Sequence, residues 1–483
     1  MLSPLYSILI GAASFLTRSP ELAGRVISLL AGALFPVAIF LIAEKIYGRR
    51  TALAAGLLTG LHSTLIALSA AVYSEGIYLT LLMVAVYWTL VAIEREDYLP
   101  AVYAGVCAGL AYLARPEGLL FAFLLAAWLG AARWLTRPVG RGHLARAAVL
   151  LTTSAVLALP FVAFLTLKTG RFFWEGKSAI NDNIVARMET GMTYQEANTG
   201  LGPNLHEDGV ALANDQFVYV RSHPVSLPVK LHLITDGMLG RILNLLKAFR
   251  SADYLGSPFI WILVGAGLLG GPWNRVRLAH EALLCAMTAL SLFILSSMHF
   301  IWNRFLFAVL PIALIWAAHG AVSLHESVYQ TLERRGPWVK SYRQIIAWAL
   351  PASLLLLVLL VAARGIRGLG EVTEARAVEA KDAGLWIASH FNGMKTVMSV
   401  GMVVPYYAGA LARVLPYTDS TTALAYLHQK DPDFIVLRGD EVRQRPYLPS
   451  WLQNGIPDPC ARLAYRVGNR AEQAILVYEW TCR

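Results

Sequence analysis

Charge is scarce in this sequence. Only 15% of its 483 residues are Asp, Glu, Lys or Arg, where a soluble protein of this size carries about 25%. Hydrophobic residues make up 57%, and the mean hydropathy is +0.53. The apolar residues gather in runs near 20 long, the length that crosses about 30 Å of hydrocarbon, which excludes an ordinary soluble core. Cysteine is scarce too, with four residues, none at zinc-site spacing. Cys107 and Cys285 lie in apolar runs as small packing residues. Cys460 and Cys482 are either bridged or separate thiols, because spacing alone does not fix geometry. There is no Walker loop, dinucleotide fingerprint, HExxH or GxSxG, so no cofactor is expected, and a divalent metal is left open. No cleavable leader is expected either: Met1 to Leu16 show no basic n-region and no obvious small-x-small cleavage site. Internal repeats and low-complexity tracts are absent.

What is there points to a polytopic α-helical membrane protein. Apolar runs predict about ten spanning helices near 24–44, 52–73, 76–93, 99–114, 117–134, 146–167, 258–272, 279–300, 304–322 and 346–364. Lys45, Arg49, Arg50, Arg137, Arg141, Arg146, Arg275, Arg277, Arg334, Arg335, Lys340 and Arg343 then fall on one side, the cytoplasmic one. The short acidic turn Glu94 to Asp97 is the exception. The formal net charge of +10 is thereby accounted for by cytoplasmic loops. With no basic-aromatic groove or Lys-rich tail, nucleic acid is excluded as a partner and membrane lipid is the expected one.

Four regions follow: N-terminal membrane helices over 1–167, a large loop over 168–257, further membrane helices over 258–364, and a soluble domain over 373–483. The loop and the last domain are assigned to the extracytoplasmic side. In the loop, Leu227, Leu231, Ile234, Leu239 and Ile242 lie at amphipathic spacing suited to a membrane surface. From 373 onward an amphipathic helix over 379–391 precedes apolar runs at Thr396–Val400, Phe434–Leu437 and Ala474–Tyr478. That alternation predicts a small α/β domain.

Charges at the edge of a membrane are costly, so each is a functional candidate. Glu75, in Ala71–Tyr78, stands at an outer interface. It reads as a carboxylate that positions or polarises an acceptor or binds a cation, or as the acidic first residue of a helix capped by Ser74. Arg115 and Glu117 flank Pro116 at another outer turn, either as a forked phosphate contact or as a local ion pair at a helix break. Arg304, with His299 and Trp302 beside it, lies at the outer mouth of a helix, to bind phosphate or to snorkel to headgroups. Lys177 and Trp174 start the large loop and suit an anionic headgroup and an apolar tail, or plain anchoring. Asp182, Glu189, Glu196, Glu207 and Asp208 offer further carboxylates, and nothing in their spacing selects one.

In order, these residues resemble a family. Pro4-Leu5-Tyr6, Arg25 with Ser28, Ser74-Glu75, the stretch Gly109 to Gly118 around Arg115-Pro116, and Arg304-Phe305 to Pro311 are similar to motifs of the GT-C glycosyltransferases. The nearest branch is that of the protein O-mannosyltransferases and the aminoarabinose transferases of lipid A. The resemblance covers the whole chain. It implies inverting transfer of a sugar from a polyprenyl-phosphate carrier to an extracytoplasmic lipid, glycan or protein. Glu75 would be the catalytic carboxylate here, with Arg115, Glu117, Lys177, Arg304, Trp174 and His299 binding substrate. The family places its catalytic Asp between a first helix and the Pro-Leu-Tyr stretch, whereas only Met1, Leu2 and Ser3 precede Pro4. The expectation is therefore a late start codon or a truncated gene, with 3–17 as an outer interfacial helix; without that segment the chain is expected to lack the Asp that the family uses as its base. A transporter or flippase and a non-catalytic scaffold are the competing classes. The absent inverted repeat and the C-terminal α/β domain speak against a transporter.

Overall fold

In the computed structural model the chain divides into two compact units, residues 1–176 with 234–368, and residues 177–233 with 369–483. Apart from isolated positions, the structure describes residues 3–95, 97–135, 142–170, 172–176, 178–212, 238–250, 259–271, 273–297, 309–333, 374–468 and 474–482.

The first unit is helical. Its described elements are α1 (Pro4–Thr17), α2 (Pro20–Tyr47), α3 (Arg49–Gly60), α4 (Ser63–Ala70), α5 (Glu75–Glu94), α6 (Leu99–Ala114), α7 (Gly118–Leu135) and α8 (Gly142–Thr169). Those of the second unit's loop are α9 (Ser178–Met188) and α10 (Tyr194–Thr199). The first unit resumes with α11 (Met238–Arg250), α12 (Phe259–Leu269), α13 (Arg275–Ser297) and α14 (Leu310–Glu333). Helix α2 shows how lipid-facing and core-facing sides divide. Leu29, Leu30 and Leu34 stay exposed, while Phe35, Ile39 and Ile42 are buried, a split at helical spacing. Close helix contacts use small residues. A Cβ on Gly105 would lie 2.6 Å from the Leu150 carbonyl oxygen, so α6 meets α8 backbone to backbone, and Ser154 Oγ donates to the Gly105 carbonyl at 2.9 Å.

The expected span over 52–73 is not one straight helix. It breaks after Gly60 into α3 and α4, bent by 55°, with His62 in extended backbone between them. The bend falls on Thr59-Gly60-Leu61-His62-Ser63-Thr64, a short polar stretch with a glycine that hydropathy averaged over the span smooths away. Among the described residues four helices, α2, α5, α8 and α13, are long and apolar enough to cross a membrane, or five with the bent pair as one. Helices α1, α6, α7 and α12 are apolar but shorter over their described lengths. The count of ten is thus not reached by length, and the run 346–364 lies almost wholly outside the described residues.

The acidic exception among the connectors has a structural reason: Glu94 pairs with Lys45. At the same end of the bundle Arg50 Nη1 lies 3.3 Å from Glu326, and Arg146 Nη1 donates to the Ala92 carbonyl at 2.8 Å. In α11, Leu239, Leu243 and Leu246 are exposed and Leu245 is buried, while Arg241 Nε donates to the Ser296 carbonyl at 2.7 Å.

The second unit holds, with α9 and α10, the α/β domain: α15 (Glu374–His390), β1 (Thr396–Ser399), α16 (Val403–Ala408), β2 (Leu411–Val414), α17 (Ser420–Lys430), β3 (Phe434–Arg438), α18 (Leu448–Asn454), β4 (Ala461–Val467) and β5 (Ile475–Trp480). The described strands form one sheet in the order β2-β1-β3-β5-β4. β1 is parallel to β2 and β3, and β5 is antiparallel to β3 and β4. Central β3 is buried on both faces. Phe434 and Val436 pack with Ala380, Ala383 and Ile387 of α15, while Ile435 and Leu437 pack with Tyr426, Leu427 and Trp451. That two-sided burial is why β3 reads as a continuous apolar run.

Cys460 and Cys482 are bridged. The bond closes a loop with a sequence separation of 22, for which chain entropy assigns about 3 kcal/mol. Cys482→Ser is expected to lower the stability of this domain by about that amount, read from denaturant unfolding. Glu441 supplies a second expectation. Burial pushes its carboxyl up to about 7, with Asp440 adding to the shift and Arg438 opposing it. A carboxyl raised above its unfolded value favours the fold below that value and loses the contribution as pH rises. Stability should therefore fall between about pH 4.5 and pH 7, and Glu441→Gln should remove that part of the pH dependence in the same measurement.

Candidate functional site

Two turns far apart in sequence meet at one end of the helical unit. α5 begins at Glu75 and buries it at 6% exposure. Ser74 occupies the capping position, yet its side chain caps nothing, so capping by Ser74 is not what holds the carboxylate. Arg115 holds it instead: its Nη1 lies 2.7 Å from Glu75 Oε1. Arg115 ends α6, where Pro116 forbids a further helical turn, and its Nη2 lies 3.3 Å from Glu117 Oε1. The guanidinium is thus shared by two carboxylates, and its Cζ lies 5.8 Å from the Tyr78 ring centroid. Tyr78 stands three residues beyond Glu75 on α5, the spacing of neighbours on one helix face. As a neutral side chain inside an apolar run it carries no signal in the sequence.

Gly118 makes the tight turn feasible. A Cβ there would sit 2.4 Å from the Tyr112 backbone nitrogen, so no larger residue fits without moving the turn that carries Arg115 and Glu117.

A second chain of contacts reaches the same place. Tyr6 Oη lies 2.7 Å from Ser28 Oγ and donates to the Gly24 carbonyl at 3.1 Å. Ser28 Oγ lies 3.3 Å from the Tyr73 carbonyl oxygen, two residues before Glu75. Residues of the Pro4-Leu5-Tyr6, Arg25–Ser28, Ser74-Glu75 and Arg115-Pro116 stretches are therefore joined through α1, α2, α5 and α6. Arg25 itself turns to Glu21 at 2.8 Å. Trp174 is attached by its backbone, its carbonyl accepting from Tyr112 Oη, three residues before Arg115.

Lys177, His299 and Arg304 lie outside the described residues. The other acidic candidates in the loop belong to the second unit. Glu196 closes a capping box with Thr193. Glu207 accepts from Tyr426 Oη at 2.9 Å and pairs with Lys430 at 2.5 Å. Asp208 lies 2.9 Å from His206 Nδ1. Among the described residues one cluster has metal-ligand geometry, His428, Asp458 and Cys460. Cys460 is bridged to Cys482 and offers no thiolate, so the cluster does not fit a metal.

Chemically, the first-unit arrangement presents two carboxylates and one guanidinium, a net charge of −1 when all are ionised. It suits holding a hydroxyl or amine and taking its proton. A phosphate would need cations in addition to Arg115, whose charge is already met by Glu75 and Glu117.

Residues 2–165 match the model of the dolichyl-phosphate-mannose-protein mannosyltransferase family. No curated protein sequence matches the chain significantly. Among solved structures, the oligosaccharyltransferase AglB of Archaeoglobus fulgidus, in complex with an inhibitory peptide and a dolichol-phosphate, aligns over 100% of this chain with TM-score 0.59 and 14% identity. This chain spans 66% of that protein's length. ArnT of Cupriavidus metallidurans aligns over 99% of this chain and 87% of its own length, with 13% identity and TM-score 0.52 in the apo state. Bound to undecaprenyl phosphate, ArnT aligns at TM-score 0.53 and 14% identity. In fold over its length, and by family model over residues 2–165, this chain resembles the GT-C glycosyltransferases of the protein mannosyltransferase and ArnT branch.

Proposed function

We propose that this protein is an integral membrane glycosyltransferase. It moves a sugar from a polyprenyl-phosphate carrier to an acceptor outside the cytoplasm, with inversion at the anomeric carbon. The observation that carries the reading is the junction of four separate sequence stretches at Glu75 and Arg115. Structures with this fold hold dolichol-phosphate or undecaprenyl phosphate, which supports a lipid-linked donor. The disulfide between Cys460 and Cys482 supports an extracytoplasmic second unit, since such bonds persist in oxidising compartments.

In this reading Glu75 accepts the proton of the acceptor's hydroxyl or amine. The acceptor heteroatom forms its bond to the anomeric carbon as the bond from that carbon to the phosphate oxygen breaks. Both electrons of the broken bond leave with the polyprenyl phosphate. Arg115 fixes the position of Glu75, and Glu117 fixes Arg115. Lys177 and Arg304 offset the leaving phosphate's charge, and Trp174 and His299 line the donor. The test is transfer from radiolabelled polyprenyl-phosphate sugars to candidate acceptors by purified protein in liposomes, with lipid flipping followed in parallel. Flipping or uptake without transfer would move the assignment to a transporter.

A further inference from the structure

The second unit contains a cavity of about 610 Å³ walled by two stretches distant in sequence, 190–208 and 417–446. The walls are pinned together by backbone. Gly200 and Tyr417 form a parallel bridge, and the Tyr417 amide donates to the Thr199 carbonyl at 2.7 Å. The cavity therefore belongs to one packed body and not to a chance gap between loops.

Its lining has a definite chemistry. Tyr417, Met192 and Pro446 supply a ring and apolar surface, Thr190 and Thr418 supply hydroxyls, and Glu196, Asp208 and Asp419 supply carboxylates. Neither Lys nor Arg occurs among its described lining residues. Two of the carboxylates are held below their ordinary range by hydrogen bonds, Glu196 from Thr193 and Asp419 from Thr422, so they stay ionised at neutral pH. Glu196 closes the capping box of α10 and Asp419 is the N-cap of α17, which fixes their positions before any ligand arrives. A lipid phosphate is repelled by such a lining. A ligand rich in hydroxyls or amines is matched by it, because fixed carboxylates accept several hydrogen bonds and an aromatic face covers the C–H surface of a sugar ring.

We propose that this cavity binds a saccharide that carries no negative charge, as the glycan part of the acceptor. The role as acceptor subsite rests on the transferase reading; the binding itself does not.

The test uses the full chain in lipid nanodiscs and calorimetric titration with three tetrasaccharide probes: chitotetraose, its fully de-N-acetylated form, and tetragalacturonate. The first two should bind, the cationic one more tightly, and the anionic one should not. Tyr417→Ala, which keeps the backbone bridge, and Met192→Trp, which fills the cavity, should each weaken binding at least tenfold with the melting temperature unchanged. Asp208→Asn should weaken the cationic probe more than the neutral one. Equal or tighter binding of tetragalacturonate overturns the proposal. So does unchanged binding in both Tyr417→Ala and Met192→Trp, or loss of saccharide binding in EDTA, which would give the carboxylates to a metal. Saccharide binding that obeys this pattern without any sugar transfer supports the cavity and defeats the transferase reading. Transfer whose acceptor KM is the same in the wild type and both cavity variants does the reverse.

Discussion

Replacing Arg115 by Ala should lower the rate of sugar transfer at least about a hundredfold, the range seen when a positioned charge or base is lost. The guanidinium pairs with both Glu75 and Glu117, and its side chain is 14% exposed. Without it buried Glu75 and half-buried Glu117 lose the counter-charge they share, and Glu75 loses the contact that fixes its orientation. Arg115→Lys keeps the charge but has one nitrogen where the fork spans two acids, so its rate should fall between those of Ala and wild type. Glu75→Gln should cost about as much as Arg115→Ala. The double variant should be little slower than the worse single one, because groups that act as a unit are not additive. The readout is kcat with the donor lipid saturating, beside a melting curve for each variant. If Arg115→Ala and Glu75→Gln both stay within twofold of wild type while folded, the candidate site is misplaced.

The pairing behind that expectation was only half legible. Glu75 and the Arg115–Glu117 turn stood out one at a time, because each is an ionisable group at the end of an apolar run. That they form one cluster is not visible in the sequence, since they lie 40 positions apart at the ends of two helices and no spacing rule links two different turns. Tyr6 and Ser28 drew notice only through family resemblance; their hydrogen bond depends on how α1 lies against α2. In the α/β domain, β1, β3 and β5 were visible as apolar runs because sheet and helices bury both of their faces. The edge strands β2 and β4 carry no such signal. β4 mixes Arg462 and Arg466 with half-buried residues and shifts register between Leu463 and Tyr465, so neither a run nor a clean alternation marks it. The amphipathic pattern marks the helix only from 379, yet it starts at Glu374, because Glu374 and Arg376 break the pattern in its first turn. Averaged hydropathy likewise hides the bend after Gly60: the span is apolar overall, while Thr59, Gly60, His62, Ser63 and Thr64 cluster at the break.

The second large effect is expected at the other end of the helical unit, where Glu281→Ala should cost about 3–5 kcal/mol of stability. Glu281 is 2% exposed and gathers three donors from three helices or their ends. Tyr47 Oη donates to it at 2.5 Å, Trp316 Nε1 at 2.9 Å, and Arg277 at 3.4 Å. The Arg277 Cζ lies 4.7 Å from the Trp273 ring centroid, and the Tyr47 ring stacks on His319 at 4.0 Å. Deleting the carboxylate leaves a buried guanidinium without that counter-charge and takes the acceptor from two aromatic donors. Desolvation, rather than the lost attraction, dominates the cost. Two further variants separate these effects. Glu281→Gln keeps an acceptor for Tyr47 or Trp316 and should lose less than Ala. Arg277→Met combined with Glu281→Leu removes both charges and should recover much of the loss. Lys45 and Glu94 pair at this same end, and α5 runs 20 residues from Glu75 to Glu94. At 1.5 Å of rise per residue the network therefore sits about 30 Å from Glu75. Turnover per folded molecule should accordingly stay at the wild-type level in all three variants, while SDS-titrated unfolding in mixed micelles shifts. Unfolding of Glu281→Ala indistinguishable from wild type would mean that this cluster is solvated rather than sealed between the helices.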